Sequence, residues 1–225
     1  TRFDCDWSSD VCSSDLVLRN GTAVQQYYYL DTNPVARRVA AHRITQLMVQ
    51  YPSLLTADAV QGAFSLPQDI RQLTTEHLVA AGAKNLTHPW LVVAGWPCQD
   101  MSMAGKAAGL RGERASLLFE LVRVIGALQQ LQPSSPPGYV IENVAFQYHR
   151  SQQVAVIDYE QVCAIIGRPV LVDAAQFGSL AHRVRNFWTN LCTQPQLCAA
   201  VAQVQRPPHR PVSLALGPGR FAQLV

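Results

Sequence analysis

Leu91 to Gly105 reads LVVAGWPCQDMSMAG, and the architecture of the chain is argued outward from it. Leu91, Val92, Val93 and Ala94 form a short apolar run of the kind buried in a parallel sheet. Gly95 ends the run, and Pro97 and Cys98 follow on the connecting loop. Open α/β sheets bind ligands at the carboxyl ends of their strands, so a cysteine here is presented to a cleft. Proline fixes one backbone torsion, and the small residues Ser102, Ala104 and Gly105 let a substrate approach the loop closely. Taken alone, Pro97-Cys98 also fits an inert core thiol, because free cysteine is among the most buried residue types.

The chain has 225 residues, 48% hydrophobic and 15% charged, with a mean hydropathy of +0.04. That composition suits one soluble globular domain with a real core. No apolar run approaches a membrane span, and no charged-then-apolar signal peptide opens the sequence. A formal net charge of +3 permits a polyanionic partner without demanding one.

Cys98, Cys163, Cys192 and Cys198 form no CxxC pair and have no matching histidine set, which points to free thiols and no metal. Cys5 and Cys12 lie in Cys5 to Leu16, CDWSSDVCSSDL, a string without hydrophobic period. Asp6 to Leu16 is the translation of a common sequencing-adaptor end. Residues 1–16 are therefore expected to be an artefact outside the fold. The genuine sequence is expected to begin near Val17, already inside a domain.

Gln25 to Leu30, QQYYYL, reads as a strand ending at Asp31. Asn33 offers an N-cap and Pro34 a first helical position. Ala36, Ala40, Ile44, Leu47 and Met48 recur at helical spacing, which predicts an amphipathic helix from Pro34 to about Gln50. Leu117, Leu118, Leu121, Val124, Ile125 and Leu128 predict another, followed by a flexible loop over 132–138. Tyr139-Val140-Ile141 is a second buried strand, closing in Glu142-Asn143-Val144. A glutamate at the end of an apolar strand is costly unless it has a partner or a task. Residues 158–166 read as helix and Val170 to Ala174 as strand. Arg183 and Arg185 follow, two apart, and would share one face of a strand.

Gly95-Trp96-Pro97-Cys98-Gln99, continuing through Ser102, Ala104-Gly105-Lys106 and Gly109, resembles the catalytic loop of the cytosine-5 DNA methyltransferases. The resemblance extends over Gln25 to Val225 with the elements in linear order. It implies a doubly wound, mostly parallel sheet of the S-adenosylmethionine-dependent, Rossmann-like α/β type. The implied catalytic residues are Cys98 as nucleophile, Glu142 in the glutamate element and the arginines Arg183 and Arg185. Asp31, Asp69, Ile70, Pro97 and Leu117 are the implied cofactor-binding residues, and Gln99, Ser102, Asn143 and Arg185 the substrate-binding ones. The implied cofactor is S-adenosyl-L-methionine and the implied partner double-stranded DNA, with no membrane and no metal. An oligomer with itself or another methyltransferase is compatible with the family. The expected location is intracellular, in the nucleus of a eukaryote or otherwise in cytoplasm or nucleoid.

Departures from the pattern are informative. The family generally has proline and glutamine before its arginine pair, where this chain has Leu180 and Ala181. The run from Ala181 to Leu191 and the ending Leu216 to Ala222 look most like the animal-type de novo branch. Gln99 is instead typical of bacterial and maintenance branches. Residues 17–24 contain only Gly21 and cannot supply the family's phenylalanine- and glycine-rich first strand and turn. The expectation is a fragment: residues 17–191 as a catalytic domain without that first element, and 192–225 as the start of the target-recognition region. Such a fragment would tend to be inactive. Arg206, His209, Arg210 and Arg220 are candidate phosphate contacts.

Three rivals remain. An RNA cytosine-5 methyltransferase of the tRNA-acting branch would carry Cys-Phe-Thr, which is absent. A non-catalytic regulatory paralogue would have lost Cys98 or Glu142, and both are present. A nucleotide-binding oxidoreductase would need a G-x-G-x-x-G turn, and there is none.

Overall fold

The computed structural model describes residues 17–85, 87–97, 110, 116–148, 153–177 and 182–203. Leu91–Gly95 (β1) is a strand, as its composition predicts, and pairs in parallel with Gly138–Val144 (β2). Two further strands, Val170–Asp173 (β3) and Val184–Thr189 (β4), complete a four-stranded sheet of order β1-β2-β4-β3. β4 is antiparallel to both β2 and β3, so three strands share one direction and β4 opposes them. The expected α/β sheet is thus present but incomplete, with one parallel and two antiparallel pairings. The reason is chain length. A parallel crossover needs a dozen residues or more, and the link from Asp173 to Val184 is shorter, so β4 turns back beside β3.

Leu117–Leu131 (α3) connects β1 to β2 and carries the predicted apolar stripe. Leu118, Leu121 and Ile125 pack with Val162 of Gln153–Ile166 (α4) onto Trp96, Ile141 and Trp188. Val124 and Leu128, on the adjoining flank of α3, meet Leu66, Leu73 and Leu78, the last from Thr75–Ala80 (α2). Each such side chain contributes roughly 1.5–3 kcal/mol on burial, so α3 is the axis joining the two clusters.

Pro34–Gln50 (α1) has the predicted ends, with the Asn33 side chain accepting from the Val35 amide at 2.8 Å. Its buried residues are Ala40, Ile44 and Leu47. The expected strand over Gln25 to Leu30 is not formed. The segment has no regular strand, and one isolated parallel bridge joins Val24, just before it, to Leu55. The Tyr27 and Tyr29 amides donate to the carbonyls of Ala59 and Ala63, which lie on helical turns rather than a neighbouring strand. A ladder needs an extended partner, and among the described residues this segment has none. The loop over 132–138 also differs from expectation at its start. Gln132 is fully buried, and its amide donates to the Asn85 carbonyl at 2.8 Å.

Candidate active site

The register of β1 against β2 sets Gly95 directly opposite Glu142. Neighbouring strands lie about 4.8 Å apart, so Glu142 stands beside the point where the loop bearing Cys98 leaves the sheet. Glycine places no side chain over it. On the other flank, Arg185 pairs with Val144 and therefore shares a face with Glu142, two positions along. Arg185 Nε reaches Glu142 Oε1 at 2.8 Å, and the two side chains are 16% and 18% exposed.

Arg183 precedes β4 instead of lying in it, a correction to the expected pair on one strand. Its backbone amide donates to Asp173 Oδ1 at 2.9 Å, while its charge still acts on Glu142. Burial pushes the Glu142 carboxyl up from its ordinary range, against the pull of Arg185 and Arg183. A carboxyl biased to keep its proton beside two cations in a cleft is suited to general acid work.

The residues expected to bind cofactor gather on the same cavity. Asp31 is half-buried, and its Oδ1 accepts from the Asn33 amide at 2.7 Å, so it shapes the entry to α1 as well as facing the cleft. Asp69 accepts from Arg71 Nε and, at 2.6 Å, from Arg71 Nη2, which holds its carboxyl below the usual range. Ile70 and Leu117 supply apolar walls. All nine predicted site residues that are described, namely Asp31, Asp69, Ile70, Pro97, Leu117, Glu142, Asn143, Arg183 and Arg185, line one cavity of about 1620 Å³. Ligand sites commonly measure about 300–1,000 Å³, so the space exceeds one small molecule. Two carboxylates flanked by apolar walls fit the hydroxyls, amino group and flat ring of an adenosine. Cys98, Gln99 and Ser102 lie outside the described residues, as do Arg206, His209, Arg210 and Arg220.

Asn143, expected to contact substrate, lines the cavity and is also bonded within the protein. It is 1% exposed, its amide donates to the Trp96 carbonyl at 3.0 Å, and its Oδ1 accepts from the Val144 amide at 2.7 Å. These bonds hold the residue just ahead of Pro97 and Cys98. At the far end of that loop, the Leu110 amide donates to the buried Asp158 of α4 at 3.0 Å. Sequence reasoning also missed Arg123 of α3, whose Nη1 and Nη2 donate to the carbonyls of Leu73 and Ile70 at 2.8 and 2.9 Å. Its only trace in the sequence is a lone cation between the apolar residues Val122 and Val124. Cys163 is a free thiol that burial pushes up, which suits an inert residue. Among the described residues, no group of three His, Cys, Asp or Glu is placed to hold a metal, and no helix is long and apolar enough to cross a membrane.

Residues 66–197 match the C-5 cytosine-specific DNA methylase family. The chain belongs to that family. Among its relatives, the Type II methyltransferase M.AquIA of Picosynechococcus is 36% identical over 133 residues, covering 53% of this chain and 50% of that protein. The Type II methyltransferase M2.BsuMI of Bacillus subtilis is 34% identical over 98 residues, covering 42% of this chain and 25% of its own length. This family member therefore spans half or less of those curated relatives. The crystal structure of S. pombe Dnmt2 methyltransferase superposes with a TM-score of 0.53 at 17% identity, over 95% of this chain and 59% of that one. At that identity the likeness concerns the fold, and it agrees with a methyltransferase-type α/β sheet.

Proposed function

We propose that the protein of which this chain is part methylates carbon 5 of cytosine in DNA, using S-adenosylmethionine. The observation that carries the reading is the Glu142–Arg185 pair at 2.8 Å, held at the strand edge from which the Cys98 loop departs. DNA is favoured as the substrate by the family and by the Type II methyltransferases among its relatives. Residues 17–191 are read as the catalytic domain, supported by the family match over 66–197 and by the gathering of the expected site residues on one cavity. Residues 192–225 are read as the start of target recognition.

Cytosine carbon 5 is a poor nucleophile, and the base is unreachable inside a duplex, so it must first swing out into the cleft. The Cys98 thiolate then forms a bond to carbon 6. Glu142 gives or shares its proton with the ring nitrogen, neutralising the charge that the addition creates. Arg185 holds Glu142 in place and offers a charge-assisted hydrogen bond to the cytosine carbonyl, with Arg183 adding positive field. Asp31, Asp69, Ile70 and Leu117 would hold the adenosine part of the cofactor, and Pro97 would shape the loop beside it. When bound, S-adenosylmethionine supplies the electrophilic methyl group. Loss of the carbon-5 proton then expels Cys98 and restores the ring.

The test is a denaturation-resistant adduct on duplex DNA carrying 5-fluorocytosine, formed by the full-length gene product with S-adenosylmethionine. The expected result is an adduct that Cys98→Ser cannot form. An adduct on a 5-fluorocytosine RNA with none on DNA would move the reading to RNA. No adduct on either would sink it.

A further inference from the structure

Two asparagines occupy the apolar phase of the central strands. Asn143 and Asn186 stand directly opposite each other in the β2–β4 register, 1% and 0% exposed, on the face covered by α3 and α4. An amide buried there is costly unless bonded. The Asn186 amide donates to the Val144 carbonyl at 3.2 Å and to Gln147 Oε1 at 2.8 Å, and the Gln147 amide donates back to Asn186 Oδ1 at 2.8 Å. Gln147 belongs to the 3₁₀ turn Phe146–Tyr148 that follows β2. Each asparagine is the immediate neighbour of a reacting-face residue, Asn143 of Glu142 and Asn186 of Arg185, and points to the opposite face.

We infer that the reciprocal Gln147–Asn186 amide pair is a positioning device that fixes β4 along β2 so that Arg185 meets Glu142. It rests on the reading of Glu142 and Arg185 given above. Backbone ladder bonds hold two strands together, and a slip along them is resisted by side chains that recognise one register only. A pair of amides bonded twice to each other and once to the Val144 carbonyl is such a lock. An apolar pair of the same size would fill the space equally well and recognise nothing.

The experiment uses that difference in the full-length protein, comparing Gln147→Met, Asn186→Leu and the double variant. Gln147→Met leaves Asn186 Oδ1 without its partner and Asn186→Leu leaves both polar atoms of the Gln147 amide without theirs, whereas replacing both partners can be nearly neutral for stability. The double variant is therefore expected to regain most of the thermal stability lost by Asn186→Leu. Its kcat is expected to stay at least about tenfold below wild type, near 1.4 kcal/mol of barrier, with KM for DNA and cofactor within about twofold. The carboxyl titration of Glu142, followed by isotope-edited infrared spectroscopy, is expected to move upward as Arg185 drifts away, and needs no turnover. A double variant with wild-type stability, kcat and Glu142 titration would overturn the inference and leave the pair as core filling. If the double variant does not fold, Gln147→Met alone decides, because Gln147 is only half-buried. Unchanged kcat and unchanged Glu142 titration in that variant also overturn the inference. A missing Cys98 adduct in the wild type counts against the function instead, and the infrared titration still judges the lock.

Discussion

The two walls of the cavity are built differently. The wall carrying Glu142 and Arg185 is sheet, braced behind by buried amides and by α3 and α4. The facing wall, from Gln25 to Asp31 and through Asp69, is extended chain and short turns. It is held by the backbone bonds of Tyr27 and Tyr29 to Ala59 and Ala63, by the stacking of Tyr28 on Trp90 at 5.7 Å, and by Arg123 reaching across from α3. Bond making needs groups fixed to a fraction of an ångström. Holding a cofactor tolerates a wall that adjusts around it. Rigidity is concentrated where charge has to be met, and the rest is left to packing.

Substitutions on the sheet wall should lower kcat, and substitutions on the loop wall should raise the cofactor KM. Cys98→Ser should show the largest effect, a loss of methyl transfer on the order of 10⁴-fold or more in a filter assay of labelled DNA. Glu142→Ala should lower kcat about 10²–10⁴-fold with cofactor KM nearly unchanged, by steady-state kinetics. Glu142→Gln sharpens the point through pH. Because burial raises the Glu142 pKa, protonation favours the fold. That contribution is present below the unfolded glutamate pKa and is lost as pH rises through the folded value. On the proposed mechanism the same proton serves the reaction, so the Gln variant should lose the part of the activity fall that wild type shows as pH rises through that value. An unaltered pH profile would remove Glu142 from acid catalysis.

Asp31→Ala should raise the cofactor KM roughly 10- to 100-fold, the loss of a hydrogen bond to a charged group, with kcat changed little. Calorimetric titration with S-adenosylhomocysteine would check it. Arg123→Met should give the smallest change, a few-fold weaker cofactor binding, as the carbonyls of Ile70 and Leu73 lose their donor. A kcat loss without a binding change at either position would blur the division between the walls.

The helices and most strands were legible because their patterns are local. Asn33 and Pro34 announce α1, and the leucine stripe announces α3. Glu142 was legible as a charge at the end of an apolar strand, and its nearness to the Cys98 loop followed from the carboxyl-end rule for parallel strands. The aromatic stretch 25–30 misled because β propensity describes a surface and not a partner. The direction of β4 depended on the length of its link to β3, and the strand that takes up Arg185 begins one residue later than the arginine spacing suggested. The positioning residues Asn143, Asn186, Gln147 and Arg123 bond across 39–53 positions, beyond what any periodicity reports. For Asn143 and Asn186 the trace was a polar residue in the apolar phase of a strand.

The reversal of β4 has a consequence for reach. Arg185 stands near its beginning, beside the end of β2, so the chain runs away from Glu142 as β4 proceeds. It leaves the sheet at Asn190, whose side chain bonds the Tyr139 amide and the Pro137 carbonyl at the opposite margin. A segment after Asn190 that is to approach Glu142 must travel back the length of the strand, about 3.3 Å for each residue. On the proposed function, recognition of DNA and chemistry on it would begin at opposite ends of the same sheet.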